Sequence, residues 1–161
     1  MIEYASALSA QLSQSRPTSA AVFQQRADAL TTEFTTLDSD FSTGLATCQR
    51  TAFVTSHAAF GYLAERYGLE QVGIAGLTPD AEPTPAHLAD VQKVAKAKGV
   101  TTIFSETLAS PALADALAND LGLRTDVLDP LEGITTESRG TDYPSVMRSN
   151  LAALRTANGC Q

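Results

Sequence analysis

Three side chains able to bind a metal or move a proton occupy matching places along the chain: His57, Glu106 and Asp129. Each follows a short run rich in β-branched and apolar residues, "RTAFVTS" before the histidine, "VTTIFS" before the glutamate and "LRTDVL" before the aspartate. An imidazole with two carboxylates suits zinc and other divalent transition metals. The same groups suit a general base with acidic partners that orient it. A histidine held in a purely structural role fits these positions equally well, and spacing alone does not separate the three readings.

Other chemistry-bearing residues read more plainly. The second of the two histidines, His87, follows Pro85 at a helix start and reads as a surface or capping residue. Glu82 reads as a solvated loop acid at the edge of any cleft. Thr55 and Ser56 are expected to cap the helix after His57, and Asp142 with Tyr143 to cap the last helix. There is no G-x-G-x-x-G after the first strand, no G-x-x-x-x-G-K-[ST] and no G-x-S-x-G, so neither a dinucleotide fingerprint, a P-loop nor a nucleophile elbow is present.

The elements that must position the three residues alternate from residue 50 onward. Strands are predicted at "RTAFVTS", "LEQVGIAGL", "VTTIFSE" and "LRTDVLDPL". Between them lie helical stretches of about a dozen residues, a length that implies parallel βαβ units. "AAFGYLAERYG" closes on Gly68 and "HLADVQKVAKAKG" on Gly99; Ser110 is expected to cap "SPALADALANDLG", with Pro111 at its first position. A last helix follows over "YPSVMRSNLAALRTA". The expected fold is α/β, a four-stranded parallel sheet with helices on both faces. Its ligand crevice lies beyond the C-terminal ends of the strands, where His57, the 76–87 loop, Glu106 and Asp129 all fall.

Before residue 50 the pattern is helical. Residues 3–14 form an Ala-rich stretch broken at Pro17. Thr18 or Ser19 can then cap a long helix in which Phe23, Ala27, Leu30, Phe34, Leu37, Phe41 and Leu45 make one apolar stripe. A single stripe suits a helix lying along one face of a neighbour. The domains read as a helical arm over 1–47 and an α/β lobe over 48–161.

The formal charge of −7 argues against a nucleic-acid partner, which needs a basic footprint. No apolar run is long enough for a transmembrane helix. "MIEYASALSAQLSQSR" lacks the basic start, apolar centre and small-residue cleavage site of a signal peptide. The two cysteines, Cys48 and Cys160, match no metal spacing. They are either independent thiols or a disulfide. The bridge would imply an extracytoplasmic home and would be worth about 4–5 kcal/mol by loop entropy.

Several blocks, in order, resemble the metal-binding substrate-binding proteins of zinc and manganese ABC importers. These are "PTSAAVFQQRA" in the long helix, then "VTSHAAFGYLAERYGL", "GLTPDAEPTPAHLADVQKVAKAKGVTTIFSETLAS", "VLDPLEG" and "DYPSVMRSNLAALRTA". The resemblance covers most of the chain. It implies two α/β lobes joined by a rigid helix, with the ion held in the cleft between them. It further implies that His57 is a metal ligand, that Asp129 matches a fourth ligand position, and that Glu106 is an acid supporting a ligand rather than binding the metal itself. Histidine at the first of these positions favours zinc, whereas the manganese members tend to carry glutamate there. The implied function is non-catalytic: an extracytoplasmic binding protein that passes zinc to an ABC permease. The alternatives are a manganese-specific protein, a metal-dependent adhesion module, and a small α/β hydrolase-like enzyme using His57 with an acidic partner.

The departure from the family is the amino-terminal lobe, which the resemblance places outside this chain together with two histidine ligands. The chain is therefore expected to be a piece of a longer protein, to bind zinc weakly by itself, and to self-associate through the exposed connector helix.

Overall fold

The computed structural model describes residues 1–77, 82–108 and 110–161. The chain divides into two units, 1–41 and 42–161.

The first unit is helical. Helix α1 spans Ile2–Ser15, and a single 3-10 turn over Pro17–Ser19 leads into α2, Ala20–Gly44. Pro17 has no N–H to continue α1, and the Arg16 N–H closes the helix end on the Leu12 carbonyl at 2.9 Å. Threonine is a poor helix former, yet α2 carries several. The hydroxyls of Thr32, Thr35 and Thr36 donate to the carbonyls of Asp28, Thr31 and Thr32 one turn back, which satisfies them within the helix. Along the expected stripe Ala27, Leu37 and Phe41 are buried, but Leu30 is 47% exposed.

The second unit is the α/β lobe. In chain order it contains β1 (Ala52–Thr55), α3 (Gly61–Tyr67), β2 (Glu70–Gly73), α4 (Pro85–Ala97), β3 (Thr102–Ser105), α5 (Ala112–Leu121), β4 (Arg124–Val127) and α6 (Tyr143–Asn158). All four strands run parallel, in the order β2-β1-β3-β4. The central strands β1 and β3 are buried at every residue, and the edge strands are not. The chain runs from β1 outward to β2 and from β3 outward to β4. The loops after β1 and β3 therefore diverge, and a crevice opens between them. These are the loops that carry His57 and Glu106.

Ala52, Val54 and Ile103 join Val91 and Ala95 of α4 and Ala114, Leu117 and Ala118 of α5 in one apolar cluster. Side chains alternate along a strand, so Phe53 and Phe104 point the other way; their rings meet edge to face at 6.4 Å. Helix α6 packs against β1 and β4 and buries Val146, Leu151 and Leu154.

The helix ends largely follow the expected signals. Gly68 and Gly122 close α3 and α5 in the left-handed conformation, at φ 68° and 66°. Asp142 caps α6 in a reciprocal box with Ser145. Helix α5 begins at Ala112, one residue later than expected, although Ser110 Oγ still accepts the Ala112 N–H at 3.4 Å. Helix α4 begins at Pro85, capped by Thr84, whose hydroxyl accepts the His87 N–H. Helix α3 starts only at Gly61, and Thr55 and Ser56 do not cap it: its N-cap is Phe60, with no side-chain cap.

Cys48 and Cys160 form a disulfide across 112 residues of sequence. It joins the segment before β1 to the one after α6, where Gln49 and Arg50 donate backbone hydrogen bonds to the carbonyls of Gly159 and Asn158.

Candidate metal centre

Strand pairing continues past the formal strand ends and sets the site. The Ser56 N–H donates to Phe104 O, Ile74 N–H to Thr55 O, Ala75 N–H to Ser56 O and Ala58 N–H to Gly76 O, all within 2.8–2.9 Å. Gly73 permits this approach. A Cβ there would lie 2.5 Å from the Ala75 carbonyl oxygen and 3.2 Å from the Ala58 nitrogen.

The hydroxyls beside His57 serve the loop rather than a helix. Thr55 Oγ1 donates to the His57 carbonyl at 2.6 Å and accepts from Gln71 Nε2 at 2.8 Å. The Gln71 amide also donates to the His57 carbonyl at 3.1 Å, and its Oε1 accepts the Phe60 N–H at 3.0 Å. One side chain of β2 thus holds both ends of the 57–60 turn. The expectation that Thr55 and Ser56 are helix caps is corrected by these bonds, because the backbone of the turn and Glu106 compete for the same hydroxyls.

His57 is 3% exposed and Glu106 7%. His57 Nδ1 is hydrogen-bonded to Glu106 Oε1, and Ser56 Oγ donates to the same oxygen at 2.7 Å. With the glutamate as acceptor, the ring proton sits on Nδ1 and the lone pair on Nε2. This is the arrangement in which a carboxylate orients a metal-binding histidine.

Asp129 is also 3% exposed and is held on every side. Its N–H donates to Asn150 Oδ1 at 2.9 Å, and Asn150 Nδ2 donates to its carbonyl at 2.7 Å. Its Oδ1 accepts the Leu131 N–H at 2.8 Å and its Oδ2 accepts the Ser138 hydroxyl at 3.0 Å. Leu131 reaches that position with φ 63°, a conformation unfavourable for a side chain with a Cβ.

The fold therefore brings His57 and Glu106 into contact, and Glu106 and Asp129 line one small pocket with Leu108, Pro130 and Glu132. Among the described residues no three His, Cys, Asp or Glu side chains gather closely enough to hold a metal ion. His87 is exposed; its Nε2 hydrogen-bonds the Gly73 carbonyl at 3.1 Å. Glu82 is exposed, and residues 78–81 of the loop expected to line the crevice lie outside the described residues. Gln71, Ser138 and Asn150 were not expected to take part. The signal for Asn150 was available, an amide with poor helix propensity on the face of α6 that carries Val146 and Leu154.

Known proteins share this architecture. The profile of a family described as zinc-uptake complex component A, periplasmic, matches residues 1–157. The zinc-binding lipoprotein AdcA of Streptococcus pneumoniae is 44% identical over 146 residues, which cover 89% of this chain and 29% of that protein. The high-affinity zinc uptake system protein ZnuA of Bacillus subtilis is 38% identical over 150 residues, covering 92% and 47%. The crystal structure of the Zn(II)-bound ZnuA-like domain of S. pneumoniae AdcA is 42% identical and superimposes with a TM-score of 0.75, covering 93% of this chain and 57% of that one. The chain spans less than half the length of both curated relatives.

Proposed function

The chain belongs to the zinc-uptake complex component A family, and from that premise we propose that it supplies one half of a zinc site in an extracytoplasmic binding protein. On this reading residues 1–47 are the connecting arm and 48–161 the lobe that carries His57 and Asp129 as ligands. Glu106 fixes the tautomer of His57. The ion is cargo, released to an ABC permease rather than used in catalysis.

The observation that carries the proposal is the pair His57–Glu106. It is buried at the end of adjacent central strands, with Nδ1 engaged by the carboxylate, so that Nε2 is the atom that would take the metal. The imidazole favours zinc over manganese, which takes harder oxygen ligands. A hydrolytic role lacks support, because both hydroxyls flanking His57 are committed, Thr55 to the turn and Ser56 to Glu106.

Zinc prefers four donors, and two protein ligands leave the rest to water. Calorimetric titration of this chain with zinc is therefore expected to show weak binding that His57→Ala removes, and a zinc-dependent rise in melting temperature that disappears in the same variant. Tight 1:1 binding by a monomer would overturn the half-site. A thermal shift unchanged by His57→Ala would overturn the ligand assignment.

A further inference from the structure

Asp129 lies at the start of the loop between β4 and α6, and further along that loop Ser138 turns its hydroxyl back onto the Asp129 carboxylate. We infer that Ser138 is a positioning residue for the carboxylate of Asp129, and that the loop carrying it is fastened from outside the site in order to hold that hydroxyl in place. The inference rests on the reading of Asp129 as a zinc ligand.

The direction of the bond is set by local chemistry. Ser138 Oγ accepts the Thr135 N–H at 3.1 Å, so the hydroxyl oxygen is already engaged as an acceptor within its own turn. Its single proton goes to Asp129 Oδ2 at 3.0 Å. The Ser138 N–H donates to the Thr135 carbonyl at 3.3 Å and closes the turn. A hydroxyl has one proton, and here it is spent on the carboxylate.

The neighbouring residue anchors this turn. Arg139 Nη2 pairs with Asp126 Oδ1 of β4 at 2.6 Å, and the Arg139 carbonyl accepts the Ser149 hydroxyl of α6 at 2.7 Å. Next in line, Gly140 lies so close to the start of α6 that a Cβ would fall 2.5 Å from Ser145 Oγ and 2.6 Å from the Val146 nitrogen. The strap is thus tied both to a strand and to a helix.

Among the described residues the carboxylate then receives one donor on each oxygen, Leu131 N–H on Oδ1 and Ser138 O–H on Oδ2. Each oxygen keeps one lone pair for a cation, in an orientation that the strap holds before the ion arrives. Groups that orient a ligand in this way carry about 10- to 100-fold in metal affinity.

The test is competition titration of this chain with zinc against a chromophoric chelator, for the parent, Ser138→Ala, Ser138→Thr and Asp129→Ala, each with its melting temperature measured without metal. The inference expects Ser138→Ala to lose about 10-fold or more in zinc affinity, and Ser138→Thr, which keeps the hydroxyl, to recover it. Asp129→Ala should lose more than either. If Asp129→Ala weakens binding and Ser138→Ala does not, Asp129 is a ligand and the positioning role is wrong. If Asp129→Ala binds like the parent, the ligand reading fails and the inference falls with it. A loss in Ser138→Ala that Ser138→Thr does not recover, with equal melting temperatures, also overturns it.

Discussion

Asn150 and Asp129 exchange two hydrogen bonds, the side-chain amide of one reading the backbone N–H and C=O of the other as a neighbouring strand would. The pairing fixes the backbone just after β4 and ties it to the middle of α6. Asn150 is 2% exposed, so the pairing lies out of solvent.

Replacing Asn150 with Leu is therefore expected to destabilise the chain by about 2–4 kcal/mol, because two buried backbone groups lose their partners. Asn150→Asp should be at least as harmful, since it turns an acceptor toward the Asp129 carbonyl. Urea denaturation monitored by circular dichroism measures both. A change under about 0.5 kcal/mol, the range of ordinary surface substitutions, would show that the clamp is dispensable.

Gln71 is expected to govern the turn that presents His57. Gln71→Ala removes the acceptor of the Phe60 N–H and both donors to the Thr55–His57 pair. Hydrogen exchange of the Phe60 amide should accelerate markedly while the β1 amides of Phe53 and Val54 keep their protection. Equal protection at Phe60 in parent and variant would remove Gln71 from this role.

The start of α6 should titrate. Hydrogen bonds from the Ser145 side chain, and then from its backbone N–H, hold the Asp142 carboxyl below the usual aspartate range. A carboxylate lowered on folding stabilises the folded state above its unfolded pKa, and that contribution disappears as pH falls through the lowered folded value. The parent should thus be more stable than Asp142→Asn at neutral pH, and the gap should close as pH drops below about 4. Urea midpoints of the two proteins across that range test this; a gap that stays constant or widens with acid contradicts it.

The alternation of strands and helices was legible because local chemistry marks it. Gly68 and Gly122 stop helices, Pro85 starts one, Asp142 caps another, and the buried runs around Val54 and Ile103 read as central strands. The places of His57, Glu106 and Asp129 at one edge follow from parallel topology alone. What could not be read was which hydroxyl or amide would reach them. Ser56 and Glu106 are 50 residues apart in sequence, and Asn150 and Asp129 are 21 apart; such bonds are decided by the packed sheet, not by neighbours in the chain. Thr55 and Ser56 were misread for the same reason. Their local preference for capping is real, but the turn backbone and Glu106 offer better partners once β1, β2 and β3 are side by side. The left-handed Leu131 carries no local mark either, since nothing in "LDPLEG" asks a leucine to adopt φ 63°.

The Cys48–Cys160 bond has a topological consequence for everything between those residues. With it in place the lobe is a covalent ring, entered and left at one point beside α6. A protease that cuts once inside the ring opens it but frees no piece. The nicked lobe keeps every strand on one molecule and migrates as two fragments only after reduction. With the bridge intact, a first cut in an exposed loop therefore leaves the whole lobe covalently connected.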